Sequence, residues 1–354
     1  MKSLQTLYGK ILPMIVMFLS LSGCIKEDYS DCSVPGGVYL APTFTLHTVK
    51  DASGEYKDLF GETAQRQTVY VFDQSGLFVQ KILENGPFNN GHLTKIDLPK
   101  GNYRAVIWVN ATNEDFALNR EPVAGETSID DLLLQLKEVE SAFITRHFSP
   151  LLHGVTDYFT VEQAPITRAQ NKVIPVNLTR SSNKIQVIIR WKDNDGILCE
   201  NPSHINETRA YVLDKNGVLD FENNAGQCDW LTYIPKYFSG DDLKPFLNEN
   251  SAATTVATEF TVLRLWTDSE TKIEVRKKIS DQEETTVYQA ELMPLIKKTK
   301  AYEDQESIDR EECFVIELWF KCDHNKPNDN TWITSSIVIN GWKISEMGDD
   351  NTDL

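Results

Sequence analysis

Six histidines, six cysteines and 52 carboxylates are the groups in this 354-residue chain that could do chemistry. The histidines (His47, His92, His147, His153, His204, His324) are scattered. Only His147 and His153 share a segment, HFSPLLH, with Pro150 between them. A metal pair is one reading of that segment, packed or surface imidazoles the other. A serine nucleophile on a strand-to-helix elbow needs G-x-S-x-G, a zinc helix H-E-x-x-H, and a structural zinc site usually C-x-x-C. None of these occurs. Asp193-Asn194-Asp195-Gly196 opens like a calcium loop, but an EF-hand needs its glycine sixth and a glutamate twelfth. Here glycine falls fourth, so a plain turn is expected. There is no glycine-rich phosphate cradle, and the carboxylates are too many for spacing to single out a glycosidase pair. The expectation is a protein with no catalytic residues, no metal and no cofactor.

One cysteine has a specific chemistry written around it. Lys2 and Lys10 precede an apolar stretch, Ile11–Leu21 (ILPMIVMFLSL), and Leu21-Ser22-Gly23 then place small residues directly before Cys24. This is the layout of a secretory signal peptide over residues 1–23. Ending on cysteine, it resembles the bacterial lipobox, where the chain is cut before a thiol that carries diacylglycerol. Acyl chains contribute about 0.8 kcal/mol per buried CH₂, and two or more hold a protein on a membrane durably. A lipidated Cys24 is thus expected to anchor the chain by palmitate-type chains. Residues 24–36 form an acidic tether, in which Lys26, Glu27 and Asp28 resemble the signal that sends some lipoproteins to the outer face of the outer membrane.

Five cysteines remain: Cys32, Cys199, Cys228, Cys313 and Cys322. An odd number leaves at least one unpaired or paired between chains. Cys313 and Cys322 lie in one expected strand, ECFVIELWFKC, and would sit roughly 30 Å apart, too far to bridge. Cys199 with Cys228 is the expected pair.

The formal charge is −17, and loss of residues 1–23 with their two lysines makes it −19. Without clustered Lys and Arg, binding to a nucleic-acid backbone is excluded. Apart from the leader, no apolar run approaches the roughly 20 residues needed to cross a bilayer as a helix.

The remaining pattern is β. Val69-Tyr70-Val71-Phe72-Asp73-Gln74-Ser75-Gly76-Leu77 reads as strand, tight turn and returning strand, with Asp opening the turn and Gly supplying positive φ. Residues 210–218 (AYVLDKNGV) repeat it at an offset of 141, which predicts a second hairpin and two related domains, 37–168 and 169–354. Strands are also expected over Gly37–Val49, Lys100–Trp108, Lys184–Trp191 and Glu259–Trp266. One long strand region, Val173–Trp191, is expected to break at Arg180–Asn183. In Cys313–Phe320, alternate apolar residues mark one buried face. Trp332–Ile344 reads as a last strand interrupted at Gly341. Helices are few: LLLQL after an N-cap at Ser128, and a turn over Asp241–Asn248 limited by Pro245. Trp108, Trp191, Trp266 and Trp319 sit in strand patterns and are expected in the core. Trp230 and Trp332 are the candidates for an exposed aromatic platform.

Together, five features resemble the FimB-like fimbrial anchor family, the minor fimbrium anchoring subunits of type V pili. They are the lipobox with Cys24-Ile25-Lys26-Glu27-Asp28, the Val69–Gly76 hairpin, Gly101-Asn102-Tyr103 leading to Trp108, the Leu178–Ile185 junction, and Ile339-Asn340-Gly341-Trp342. The resemblance implies an all-β fold of two tandem transthyretin-like β-sandwich domains with a few short helices. It implies no enzyme, but an outer-membrane lipoprotein at the base of a fimbrium, exposed on the surface and supporting adhesion. A stalk pilin is the expected partner. Ile337, Val338, Ile339 and Trp342 are the candidate pilin interface, through strand pairing across subunits. The alternative is a surface glycan-binding lipoprotein of a polysaccharide-uptake system, which predicts exposed coplanar aromatics.

Overall fold

The computed structural model describes residues 37–46, 48–162, 171–199, 206–246, 255–322 and 332–346. Among them the chain is all-β, with twenty-two strands, three short α-helices and a few 3₁₀ turns. Strands are numbered β1–β22 along the chain. One eight-stranded sheet holds β1 (Val38–Phe44), β2 (Arg66–Asp73), β3 (Phe78–Asn85), β4 (Thr94–Ile96), β5 (Gly101–Val109), β9 (Leu152–Val155), β10 (Phe159–Val161) and β11 (Lys172–Arg180). Its order is β3-β2-β5-β9-β11-β1-β4, with β10 added to β5. A second sheet runs β16-β17-β12-β20-β21-β22: β12 is Ser182–Lys192, β16 Lys236–Tyr237, β17 Val256–Leu263, β20 Cys313–Lys321, β21 Thr334–Ile339 and β22 Trp342–Glu346. A third runs β19-β18-β13-β15-β8: β8 is Phe143–Ile144, β13 Thr208–Asp214, β15 Leu231–Tyr233, β18 Lys272–Lys278 and β19 Glu284–Glu291. A small fourth sheet joins β14 (Val218–Leu219), β7 (Leu134–Leu136) and β6 (Phe116–Leu118).

The side-chain period of two explains how two cores arise. Along β2 and β5, Val69, Val71, Ala105, Ile107 and Val109 face one core, which Leu40, Phe44, Phe60, Val176 and Leu178 complete. The intervening Tyr70, Phe72, Val106 and Trp108 face the other. Both faces are covered, which is why these strands read as continuous apolar runs rather than alternations. The second core is larger and takes in Ile185, Val187, Ile189 and Trp191 of β12 with Phe314, Ile316, Leu318 and Phe320 of β20. Those four β20 residues are fully buried, as their alternation predicted.

The halves do not divide at residue 168. β11 pairs with β1 and β9, so residues 172–180 belong to the first sheet, and the chain changes sheets at Ser181 alone. A strand leaving its sheet strands its own peptide groups, and buried ones must find partners. Ser181 N–H donates to Leu151 O (2.8 Å) and its carbonyl accepts from Arg264 N–H (2.9 Å). Ser182 Oγ accepts from Leu151 N–H (3.0 Å), while Asn183 accepts from Leu265 N–H and donates to Glu311 O. The polar run Arg180–Asn183 is buried for this reason. Residues 116–148 also cross the expected boundary. Phe116, Leu134, Leu136 and Ile144 pack in the second core, and β7 and β8 pair with β14 and β15.

Three local readings are corrected. LLLQL is not helical: Ser128 does cap a turn, accepting from Asp130 N–H, but that turn is a 3₁₀ turn ending at Asp131. Leu132, Leu134 and Leu136 then alternate into the core, a period of two. The last strand is a hairpin, because Asn340 (φ 46) and Gly341 (φ 82) form the two-residue turn that Asn-Gly favours. The second copy of the repeat makes no hairpin. β14 pairs with β7, while β13 pairs with β15 and β18. The 3₁₀ turn over Gly240–Phe246 matches its expectation, with Pro245 inside.

Candidate partner-binding edge

Cys24, Lys26, Glu27 and Asp28 lie outside the described residues, as does Cys32. At the start of the described chain, Gly37 N–H donates to Asn171 Oδ1 (3.2 Å) and its carbonyl accepts from Lys172 N–H (2.9 Å). β1 then runs parallel to β11, Val38 beside Lys172 and Phe44 beside Leu178. β11 leads through Ser181 into β12, which is parallel to β20 from Lys184/Cys313 to Lys192/Lys321. Those 172–192 residues span up to roughly 65 Å of extended chain. β21 returns toward the junction and β22 runs outward again. Gly37 thus lies at one end of this axis, and β22 heads for the other.

Of the four candidate interface residues, three are already engaged. Ile337 and Ile339 are buried, Val338 is half-buried, and their strand is hydrogen-bonded on both sides, to β20 and β22. They hold the sandwich together, and among the described residues β22 is the outermost strand of this sheet. Trp342 opposes Ile339 across the turn, and paired residues share a face. Its indole therefore stands on the core side of the sheet, yet it is 57% exposed because it lies at the rim. Ile344, two residues on, packs partly on the main core. The turn is fixed from behind: Asn340 Nδ2 donates to Tyr302 Oη (2.7 Å), and Asn340 Oδ1 accepts from Val315 N–H (2.6 Å).

The other edges are less open. β4, β8 and β16 have two or three residues. β19 begins and ends in glutamate, a charged rim of the kind that discourages pairing. β3 is covered at Phe78 by hydrogen bonds with Gly125 and Thr127.

The tryptophans offer no open platform of the expected kind. Trp108 and Trp191 are buried, as predicted; Trp266 and Trp319 are half-buried. Arg264 lies over Trp266, and Arg190 and Lys192 lie over Trp319 (5.2 and 5.3 Å). Trp230 is flanked by Lys215 and Lys272 (4.7 and 4.6 Å), and Trp332 packs edge-on against Trp191 and Phe320. Among the described residues Trp342 is the one tryptophan with a mainly exposed side chain.

The disulfide is Cys199–Cys322, not Cys199–Cys228, with Cα atoms 6.4 Å apart. Parallel pairing of β12 with β20 puts Cys322 one residue past Lys321, its N–H donating to Lys192 O. The Asp193–Ile197 turn brings Cys199 back to Trp191 O. Cys228 lies elsewhere, beside Gly217, and is a free thiol. Cys313 is also free, and burial pushes its thiol up to about 12.

His147 and His153 form no metal pair. His147 Nδ1 meets Thr261 Oγ1 (3.3 Å), whereas His153 is buried with Nε2 on Phe221 O (2.9 Å). Desolvation lowers the His153 pKa to about 4, so it is neutral at pH 7. Among the described residues no cluster of three His, Cys, Asp or Glu side chains could bind an ion. Asp193-Asn194-Asp195-Gly196 is a plain turn, as expected, with Asp193 Oδ1 accepting from Asp195 and Ile197 N–H. Sequence reading missed a polar cleft of about 440 Å³ between the halves, lined by Thr43, Asn177, Arg180, Asp309 and Arg310. No spacing signal announces it, since its walls come from both halves.

The described residues form an all-β body whose exposed indole, Trp342, stands at the rim of β22. Residues 29–348 match the family described as fimbrillin-A associated anchor proteins Mfa1 and Mfa2, and the chain belongs to that family. It is therefore a fimbrial anchor-family protein, associated with the fimbriated cell surface. It is 27% identical over 179 residues to the major fimbrium anchoring subunit FimB of Porphyromonas gingivalis, a match covering 49% of this chain and 53% of FimB. The chain thus spans about half the length of that curated relative. The fold resembles the fimbrial anchor protein Mfa2 of Porphyromonas gingivalis (TM-score 0.66, 20% identity, 88% of this chain and 99% of that one). It also resembles a Bacteroides thetaiotaomicron protein proposed to bind polysaccharide (TM-score 0.69, 19% identity, 90% and 100%).

Proposed function

We propose that this chain is an outer-membrane lipoprotein that fastens a fimbrium to the cell surface, acylated at Cys24 and touching the first stalk pilin by strand pairing at β22. Lys26, Glu27 and Asp28 direct it to the outer face, and the role involves no catalytic step. The observation that supports this most is the polarity of the fold. The tether enters at Gly37, and the open rim with Trp342 lies on the last strand of the other half, running away from that point. An edge strand with unpaired N–H and C=O groups accepts a strand from another chain, and an exposed indole beside it adds apolar contact. The glycan-binding alternative has the 440 Å³ polar cleft between the halves as one place to bind.

Removal of residues 342–354 tests the contact while sparing β21 and its buried Ile337 and Ile339. The expected result is a folded, surface-exposed, palmitate-labelled protein whose cells shed fimbriae into the medium. Unchanged piliation overturns the contact. Cys24→Ser is expected to abolish palmitate labelling, and labelling that persists overturns the anchor.

A further inference from the structure

The Cys199–Cys322 disulfide joins the outer ends of two adjacent parallel strands. β12 carries the chain that comes from the tether side through β11 and Ser181, and β20 neighbours the C-terminal hairpin. Both ends are fixed before the bond is considered. Cys199 N–H donates to Trp191 O (3.1 Å), Cys322 N–H donates to Lys192 O (3.0 Å), and Trp191, Phe320 and Trp332 pack ring to ring beside them. The bond closes a sequence separation of 123. That loop contains β13–β20, hence most of the third sheet and two short helices, Leu292–Lys297 and Gln305–Asp309.

We infer that this disulfide is a mechanical shortcut: tension applied between the tether and the C-terminal hairpin passes from β12 across Cys199–Cys322 and leaves the closed loop out of the path. The geometry supports this at each step. β1 against β11 and β12 against β20 are parallel ladders aligned with the axis joining the two ends. A pull along a strand loads the hydrogen bonds of its ladder together rather than one after another. Without the covalent link, a pull on Cys322 would slide β20 past β12 and then unwind everything between them. With it, the pull reaches β12 directly. A disulfide closing a long loop also constrains the unfolded chain, but that effect acts equally in every direction. The shortcut acts only because the bond lies at the outer ends of the ladder. The direction of pull rests on the anchoring role proposed above; the mechanical property does not.

The test stretches the mature full-length chain between handles at its two termini. The oxidised protein is compared with the same protein in dithiothreitol and with a Cys199→Ala/Cys322→Ala double variant whose far-UV spectrum is unchanged. The oxidised chain is expected to extend about 40 nm less, at roughly 3.3–3.6 Å per residue, and the third-sheet unfolding steps are expected only in the reduced and variant chains. Equal extension and equal steps in all three overturn the shortcut, and the dithiothreitol arm keeps the test valid if the double variant misfolds. A second arm counts fimbriae shed from cells under flow and in still culture. The double variant is expected to shed several-fold more under flow only. A changed extension with unchanged shedding overturns the anchoring role and leaves the mechanical property standing.

Discussion

Asp73–Leu77 and Asp214–Val218 carry the same turn sequence, Asp-x-x-Gly with an apolar residue after it, and they fold differently. In the first, Asp73 Oδ1 accepts from Ser75 and Leu77 N–H (2.8 and 3.0 Å), Gly76 sits at φ +77, and β3 returns beside β2. Asp51, Asp193 and Asp220 make the same loop with Gly54, Gly196 and Asn223 at positive φ. In the second, Asp214 is buried and its carboxylate takes the Thr271 hydroxyl (2.5 Å) and Lys215 N–H (2.7 Å). Asn216 donates to the carbonyls of Leu263 and Arg264 and accepts from Tyr233 Oη (2.6 Å). Gly217 is buried, without positive φ, and its carbonyl accepts from Leu136 N–H. A solvent-exposed turn is decided by its own hydrogen bonds; a buried one is decided by the neighbours that need its polar groups.

The largest expected difference between the two is steric. A Cβ at Gly217 would lie 2.5 Å from Leu231 Cδ1, in the core, and 2.9 Å from Val139 Cγ2, packed against it. Gly217→Ala should destabilise by about 3 kcal/mol through overpacking. At Gly76 the nearest atom is 3.5 Å away, so Gly76→Ala should cost only about 1 kcal/mol, from its φ. Urea denaturation of both variants measures this, and equal costs would erase the distinction.

The next effect is in pH. Burial raises the Asp214 pKa to about 6, so the folded state binds its proton more tightly than the unfolded chain. Its contribution is full below about pH 4 and is lost as pH rises through 6. His153 has the opposite sign: with its folded pKa near 4, stability is lost as pH falls from about 6.5 toward 4. Each shift corresponds to roughly 3 kcal/mol, so the two nearly offset. Asp214→Asn should expose an acid-side loss of about that size between pH 6 and 4, and His153→Gln should leave a gain. Denaturation midpoints across pH 4–7 check both signs.

The smallest effect is at the exposed turn. Asp73→Ala removes two hydrogen bonds to backbone N–H and should cost about 1 kcal/mol, with β2 and β3 still paired. Amide exchange at Ser75 and Leu77 should quicken while exchange in β5 does not.

What could be read early was local. The alternation in Cys313–Phe320, the unbroken apolar run of Lys184–Trp191 and the turn at Asp73 each lie within a few residues, where period and turn chemistry act. LLLQL was misread because an N-cap followed by leucines fits a helix as well as a capped 3₁₀ turn entering a strand. Asn340-Gly341 was read as an interruption, although that dipeptide is the strongest hairpin signal. The rim at Trp342 was legible as a residue, but not the fact that Ile337 and Ile339, in the same run, are spent on the core.

By itself the sequence determined that the body is β and that the chain belongs to a fimbrial anchor family. Only the tertiary structure decided that Cys199 meets Cys322, that β11 stays with the first sheet, and that Asp214 is buried while Asp73 is not. The physical reason is range. Alternation, caps and turns are settled by neighbours in the chain, whereas strand order, cysteine partners and the burial of a turn depend on contacts between segments tens to more than a hundred residues apart.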